Sequence, residues 1–346
     1  MRAAGLLAAA AAAAAALWLA AASPAAGTPP WLAAAEVREA LAQVETAIVL
    51  GARGPASVPL ARASGALERA VGGRPALVAE GRTALARAEV AAREADARAF
   101  AVAKAELRAL VLRAAVGEAV AAARRGEPAE ARSWLLVREF RPPTRFTRAG
   151  ADATLALDQL AKGALAPSVA AAAVRDDLLD TYEARLRSAI DDLRVARQAG
   201  FDIRVAEAGA SAAGYWAIVR GAYARQRGDA WTRALDGAFA ALRRAALTGS
   251  SPAPSLDRIA AGLAAFRAAP LSADEQRQRA GQLDRFLRLV PIEYGRGVRD
   301  GRVVLDFEIL EAITFRDGAA AALRDLEPAL DLDRVAIDRM GEAAQP

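Results

Sequence analysis

The chain has 346 residues, enough for one large core or two modest ones, and its 54% apolar share with only 5% aromatic is mostly Ala and Leu. That mix favours closely packed helices over sheets, because Ala loses no side-chain entropy in a helix and lets axes approach. The net charge of +5 comes from arginines interleaved with Asp and Glu, without a basic stripe or stacking aromatics, so nucleic acid is not an expected partner.

Residues 1–26 read as a signal peptide. Arg2 forms a short positive region, Ala3 to Ala22 an apolar run, and Ala25 and Ala26 offer small residues for cleavage. The run is also long enough to span a bilayer, so an uncleaved anchor is the alternative. Either reading puts the remainder of the chain in the periplasm or otherwise outside the cytoplasm.

A helical body is expected over 27–247. Its first helix runs from about Trp31 to Leu50, with Val37, Leu41, Val44 and Ile48 on one face. A second, Leu60 to Val71, stops at Gly72-Gly73-Arg74-Pro75. From Ala76 to Arg125 the pattern fits one long helix or two stacked ones, with Gly117 as a weak interior break. Two turns, at Gly126 and Gly228, share the order helix, glycine, acidic residue, helix. The stretch Arg138 to Asp152, with Pro142 and Pro143, is the main irregular loop; its Phe140 and Phe146 are expected to plug the core, and the alternative, from its four arginines, is an anion-binding or partner-docking loop. The next helix buries Leu178, Leu179, Tyr182, Leu186, Ile190 and Leu193, leaving Asp176, Asp180 and Glu183 on a solvated stripe that Arg187 extends. Tyr215, Trp216, Ile218 and Tyr223 share a further helix behind a run of small residues.

Residues 248–257, rich in Ser and Pro, read as a linker to a C-terminal helical segment, 258–332, followed by a flexible tail, 333–346. Ser272 and Glu275 have the spacing of a capping box. Within that segment, 290–309 reads as a β-hairpin folded at Asp300-Gly301. The register pairs Val298 with Val303, Arg296 with Leu305, Tyr294 with Phe307 and Ile292 with Ile309, on an apolar face that docks on the helices. The other face sets Glu293 opposite Glu308, beside Asp306 and the notch at Gly295 and Gly297. In the alternative, Asp306 caps a helix beginning at Phe307, the strand is only Arg302 to Leu305, and Arg285 or Arg288 neutralises Glu293. The fold class is mainly α, an antiparallel helical bundle with one small β-hairpin near the C-terminus.

Cysteine and histidine are both absent, which excludes disulfides, thiolate or imidazole catalysis and Zn–S or His metal sites. Oxygen ligands remain, and these suit hard cations. Glu293, Asp306, Glu308 and Glu311 are the candidate metal ligands; no catalytic residue and no organic cofactor are expected.

Three stretches, Arg285 to Leu323, Leu178 to Leu193 and Trp134 to Arg148, resemble the extracytoplasmic N-terminal region fused to some bacterial oxidase-dependent iron permeases. The strongest likeness is "EYGRGV", "DGRV" and "FE" between Glu293 and Glu308. The resemblance implies an accessory role in iron uptake, iron as the bound ion, and a membrane iron permease as partner. The permeases transport through membrane helices carrying Arg-Glu-x-x-Glu, whereas Glu308-Ile309-Leu310-Glu311 matches only the Glu-x-x-Glu part and follows Phe307. The other expected role is a structural or adaptor protein of the cell envelope that binds no metal.

Overall fold

A computed structural model describes residues 28–50, 56–139, 152–264 and 266–327. Among the described residues the chain is mainly α, with twelve helices and one two-stranded antiparallel ribbon near the C-terminus. The expected signal peptide, most of the loop after Arg138, and the tail lie outside the described residues.

Helix α1 (Pro30–Val49) buries Val37, Leu41 and Val44, and it packs on α2 (Ser57–Val71). The apolar stretch that follows is two helices, α3 (Pro75–Glu94) and α4 (Ala97–Arg125). The break falls at Ala95, in a left-handed conformation (φ 54°), not at Gly117. Asp96 explains the position, because its side chain accepts a hydrogen bond from the Ala99 N–H at 2.9 Å and so starts a new helix. Gly117 stays helical within α4, and the Arg74 guanidinium packs over its missing side chain.

α4 is the central helix, touching α1, α3, α5 (Pro128–Leu135), α7 (Pro167–Gln198) and α8 (Asp202–Arg227). The two glycine turns differ on inspection. Gly126 is left-handed (φ 78°, ψ 29°), while Gly228 has φ 81° with an extended ψ of 171°. The helices after them differ too, since α5 has 8 residues and α9 (Asp229–Thr248) has 20. α6 (Ala153–Ala161) lies on α7, whose Leu178, Leu179, Tyr182, Leu186, Ile190 and Leu193 are all buried as expected. Trp216 stacks on Phe239 at 5.1 Å in the core between α8 and α9. Within the stretch read as a linker, α10 (Ala253–Gly262) is already helical and packs against α9.

One face of α7 departs from expectation. Glu183 is not solvated but buried, accepting hydrogen bonds from the Ala268 N–H (2.7 Å), Arg187 (3.0 Å) and Arg267 (3.2 Å). The segment that folds back after α10 covers it and supplies two of these donors, Ala268 and Arg267, while Arg187 comes from α7 itself; together they offset the cost of burying the charge.

The C-terminal part is a helix pair. α11 (Ala273–Gly297) starts at a complete capping box, with Ser272 bonded to the Glu275 N–H and Glu275 bonded back to Ser272. It then runs through Pro291 to Gly297, where strand was expected. Only Val298–Arg299 (β1) and Arg302–Val303 (β2) form the ribbon, and α12 (Asp306–Leu326) begins three residues later. The Val298–Val303 pairing and the Asp300-Gly301 turn stand, with positive φ at both turn residues (49° and 72°). The pairs Arg296–Leu305, Tyr294–Phe307 and Ile292–Ile309 do not form. A lone two-stranded ribbon is marginal in water, whereas helices continue the 3.6 period and stack Phe286 on Phe315 at 6.0 Å. The face expected to dock is instead open, with Ile292, Tyr294, Leu305 and Phe307 exposed.

Candidate metal centre

The acidic cluster sits where α11 ends and α12 begins. Gly297 makes this possible, because a Cβ there would come within 2.6 Å of Ile309 Cδ1 and 3.2 Å of Glu308 Cβ. With hydrogen in its place, the last turn of α11 lies against the first turn of α12. The Gly297 carbonyl also accepts from the Val304 N–H at 2.8 Å, closing the connection.

This approach brings Glu293, Glu308 and Glu311 together, each offering a carboxylate oxygen within 4.8 Å of the others. Glu293 is buried, and Glu308 and Glu311 are half-buried. Glu308 and Glu311 share a face of α12 through their three-residue spacing, and Glu293 meets them across the helix pair. Asp306, read from the sequence as a fourth ligand, is not in the group. It is the exposed first residue of α12, Leu305 holds the cap position, and no side-chain cap bond forms. The neutralising arginine also differs from expectation. Arg296 pairs with Glu293 at 2.9 Å, while Arg288 pairs with Asp284.

Glu308 Oε2 is buried without a hydrogen-bond partner. The Glu308 carboxyl is held above its ordinary value of 4.5, first by proton sharing with Glu293, then by desolvation and by the Glu293 charge; Arg296 opposes the rise and Glu311 adds to it. Three carboxylates with one arginine leave net negative charge that a hard cation would neutralise. An ion with metal–oxygen bonds of about 2.1 Å spans about 4.2 Å between opposite ligands, so small rotamer shifts close the group around it.

A second polar constellation gave no sequence signal, because it centres on Glu139 at the end of an expected loop. Glu139 is buried and accepts from the Tyr215 hydroxyl at 2.6 Å; Arg108 lies 2.6 Å away and Arg185 3.3 Å away. Tyr215 and Tyr182 stack at 6.0 Å, and burial pushes both phenols well above their usual range. A cleft of about 430 Å³ opens beside them, lined by Arg108, Arg185, Arg204 and Tyr215, and Asp192, Glu207 and the adjoining Glu139 together balance the three arginines. With its charge paired by Arg108 and Arg185 and a hydrogen bond from Tyr215, Glu139 fixes α4 against α7 and α8.

Fold and site together define a mainly helical protein whose oxygen-only cluster suits a hard cation. Residues 24–262 match the iron permease FTR1 N-terminal domain, and residues 270–341 match the iron permease-associated 4-helix bundle domain. The chain belongs to the iron permease family, and that membership supports a role in iron uptake. No curated protein and no solved structure matches it. Among the described residues no helix is long and apolar enough to cross a membrane.

Proposed function

We propose that this chain is a non-catalytic, extracytoplasmic accessory of iron uptake that binds iron at Glu293, Glu308 and Glu311. It presents the ion to a membrane iron permease or braces that permease. The reading rests on the convergence of the three carboxylates in a chain of iron permease domains. The inventory supports it, since a protein without Cys or His has only oxygen ligands to offer, and ferric iron is a hard cation. The apolar run after Arg2 supports export.

Thermal melting with and without chelated ferric iron tests the site. Ligand that binds only the folded state raises stability as RT ln(1 + [L]/Kd). Wild type should melt higher with iron, and Glu308→Gln and Glu311→Gln should lose most of that rise. If neither wild type nor variants shift, or all shift equally, the cluster is not the iron site and the adaptor role takes its place. N-terminal sequencing of the exported form separates a cleaved signal from an anchor, which would keep Met1 in the membrane fraction.

A further inference from the structure

Among the described residues the helix pair of α11 and α12 buries little apolar surface. α11 buries only Glu275, Arg279, Glu293 and Gly297, and α12 only Ala312, Ala319, Ala322 and Leu326. Even with Phe286 stacked on Phe315, so little apolar burial does not offset ordering two helices, at about 1–2 kcal/mol of backbone entropy per residue. At the same end of the pair Ile292, Tyr294, Val303, Leu305, Phe307 and Leu310 are each roughly half exposed or more. Such a contiguous apolar surface marks an interaction site. Its connection to the body is mainly polar and distant from that end, through Arg267, which bonds Glu183, Asp325 and the Arg324 carbonyl.

The matched domain is a four-helix bundle, yet the described part of 270–341 holds two helices, of 25 and 21 residues. We propose that a second copy of this chain covers this apolar end, two α11–α12 pairs packing against each other across a two-fold axis. The rim favours a self-complementary contact. Exposed Arg299 and Arg302 alternate with exposed Asp300 and Asp306, so a two-fold interface can match each sign to its opposite. A membrane surface would instead call for a net basic rim. Six side chains offering on the order of 100 Å² each approach the roughly 800 Å² per partner of a standard interface.

The experiment is sedimentation equilibrium of the mature chain with a chelator present, so that iron binding plays no part in the outcome. The expected result is a dimer at roughly micromolar concentration. Phe307→Asp together with Leu310→Asp should weaken it about a hundredfold without loss of helical circular dichroism, while Val195→Asp on the exposed body surface should leave it intact. Because the chain lacks cysteine, Leu310→Cys provides a check that does not depend on the charged variant folding. Oxidation should link two copies through that position. A monomer at all concentrations, a dimer indifferent to the double variant, or a dimer that Leu310→Cys fails to cross-link overturns the proposal. So does a chain truncated after Glu327 that dimerises when the full chain does not, because the tail then covers the patch.

Discussion

At Glu308 the carboxyl is shifted upward, so the folded chain holds its proton more tightly than the unfolded chain does. Its contribution to apo stability is complete below the ordinary value of 4.5 and is lost as pH rises through the raised folded value. Chemical denaturation of the metal-free protein across that window should show this loss, and Glu308→Gln should flatten it. The same substitution should leave the apo protein at neutral pH as stable as wild type or more so, since it removes one of the mutually repelling charges. Protons and iron compete for the cluster, so the iron-induced rise in melting temperature should grow with pH. At Glu139 the neighbouring charges are of opposite sign. Its carboxylate accepts from Tyr215 and pairs in charge with Arg108 and Arg185, so Glu139→Gln leaves two guanidinium groups without their counter-charge. Because both arginines are partly exposed, the expected cost is about 2 kcal/mol, below that of breaking a fully buried pair; denaturant melts measure it. Neither environment could be read from residue type. Glu293 and Glu308 were paired correctly in the sequence, but by a strand register that does not exist, while Glu183 and Glu139 gave no sign of burial.

Elements were legible where local chemistry decides them. The stripe of Val37, Leu41 and Val44, the buried face of α7, the stop at Gly72-Gly73, the Ser272 capping box and the Asp300-Gly301 turn all follow from periodicity or from a residue's own backbone preference. They were misread where two local signals compete. From Val290 to Gly297, Pro291 and the β-branched residues favour an extended chain, yet contact with α12 keeps the segment helical. At Ala95 the capping strength of Asp96 outweighs the weaker tendency of Gly117 to break a helix. The approach at Gly297 gives a test at this scale. Gly297→Val pushes into Ile309 and Glu308, and overpacking of this kind costs about 1–3 kcal/mol. It should also separate Glu293 from Glu308 and remove the iron-induced rise in melting temperature, while helical content changes little.

Across the whole molecule, Arg267 bonds Glu183 on α7, the Arg324 carbonyl and Asp325, which Arg279 also holds at 2.5 Å. Arg267→Ala should therefore loosen the α11–α12 pair from the body, raising amide exchange in 273–326 while the core of α4 and α8 stays protected; equal exchange in wild type and variant would place the coupling elsewhere. The sequence by itself determined a helical chain with oxygen-only ligands, its helix starts and its one tight turn, because composition, period and capping act within a few residues. Only the tertiary structure decided that Glu293, Glu308 and Glu311 meet while Asp306 does not, that Glu183 and Glu139 are buried, and that an apolar end stays open. Those outcomes depend on which helix faces pack together, and segments distant in sequence settle that by the apolar area and ion pairs they bury.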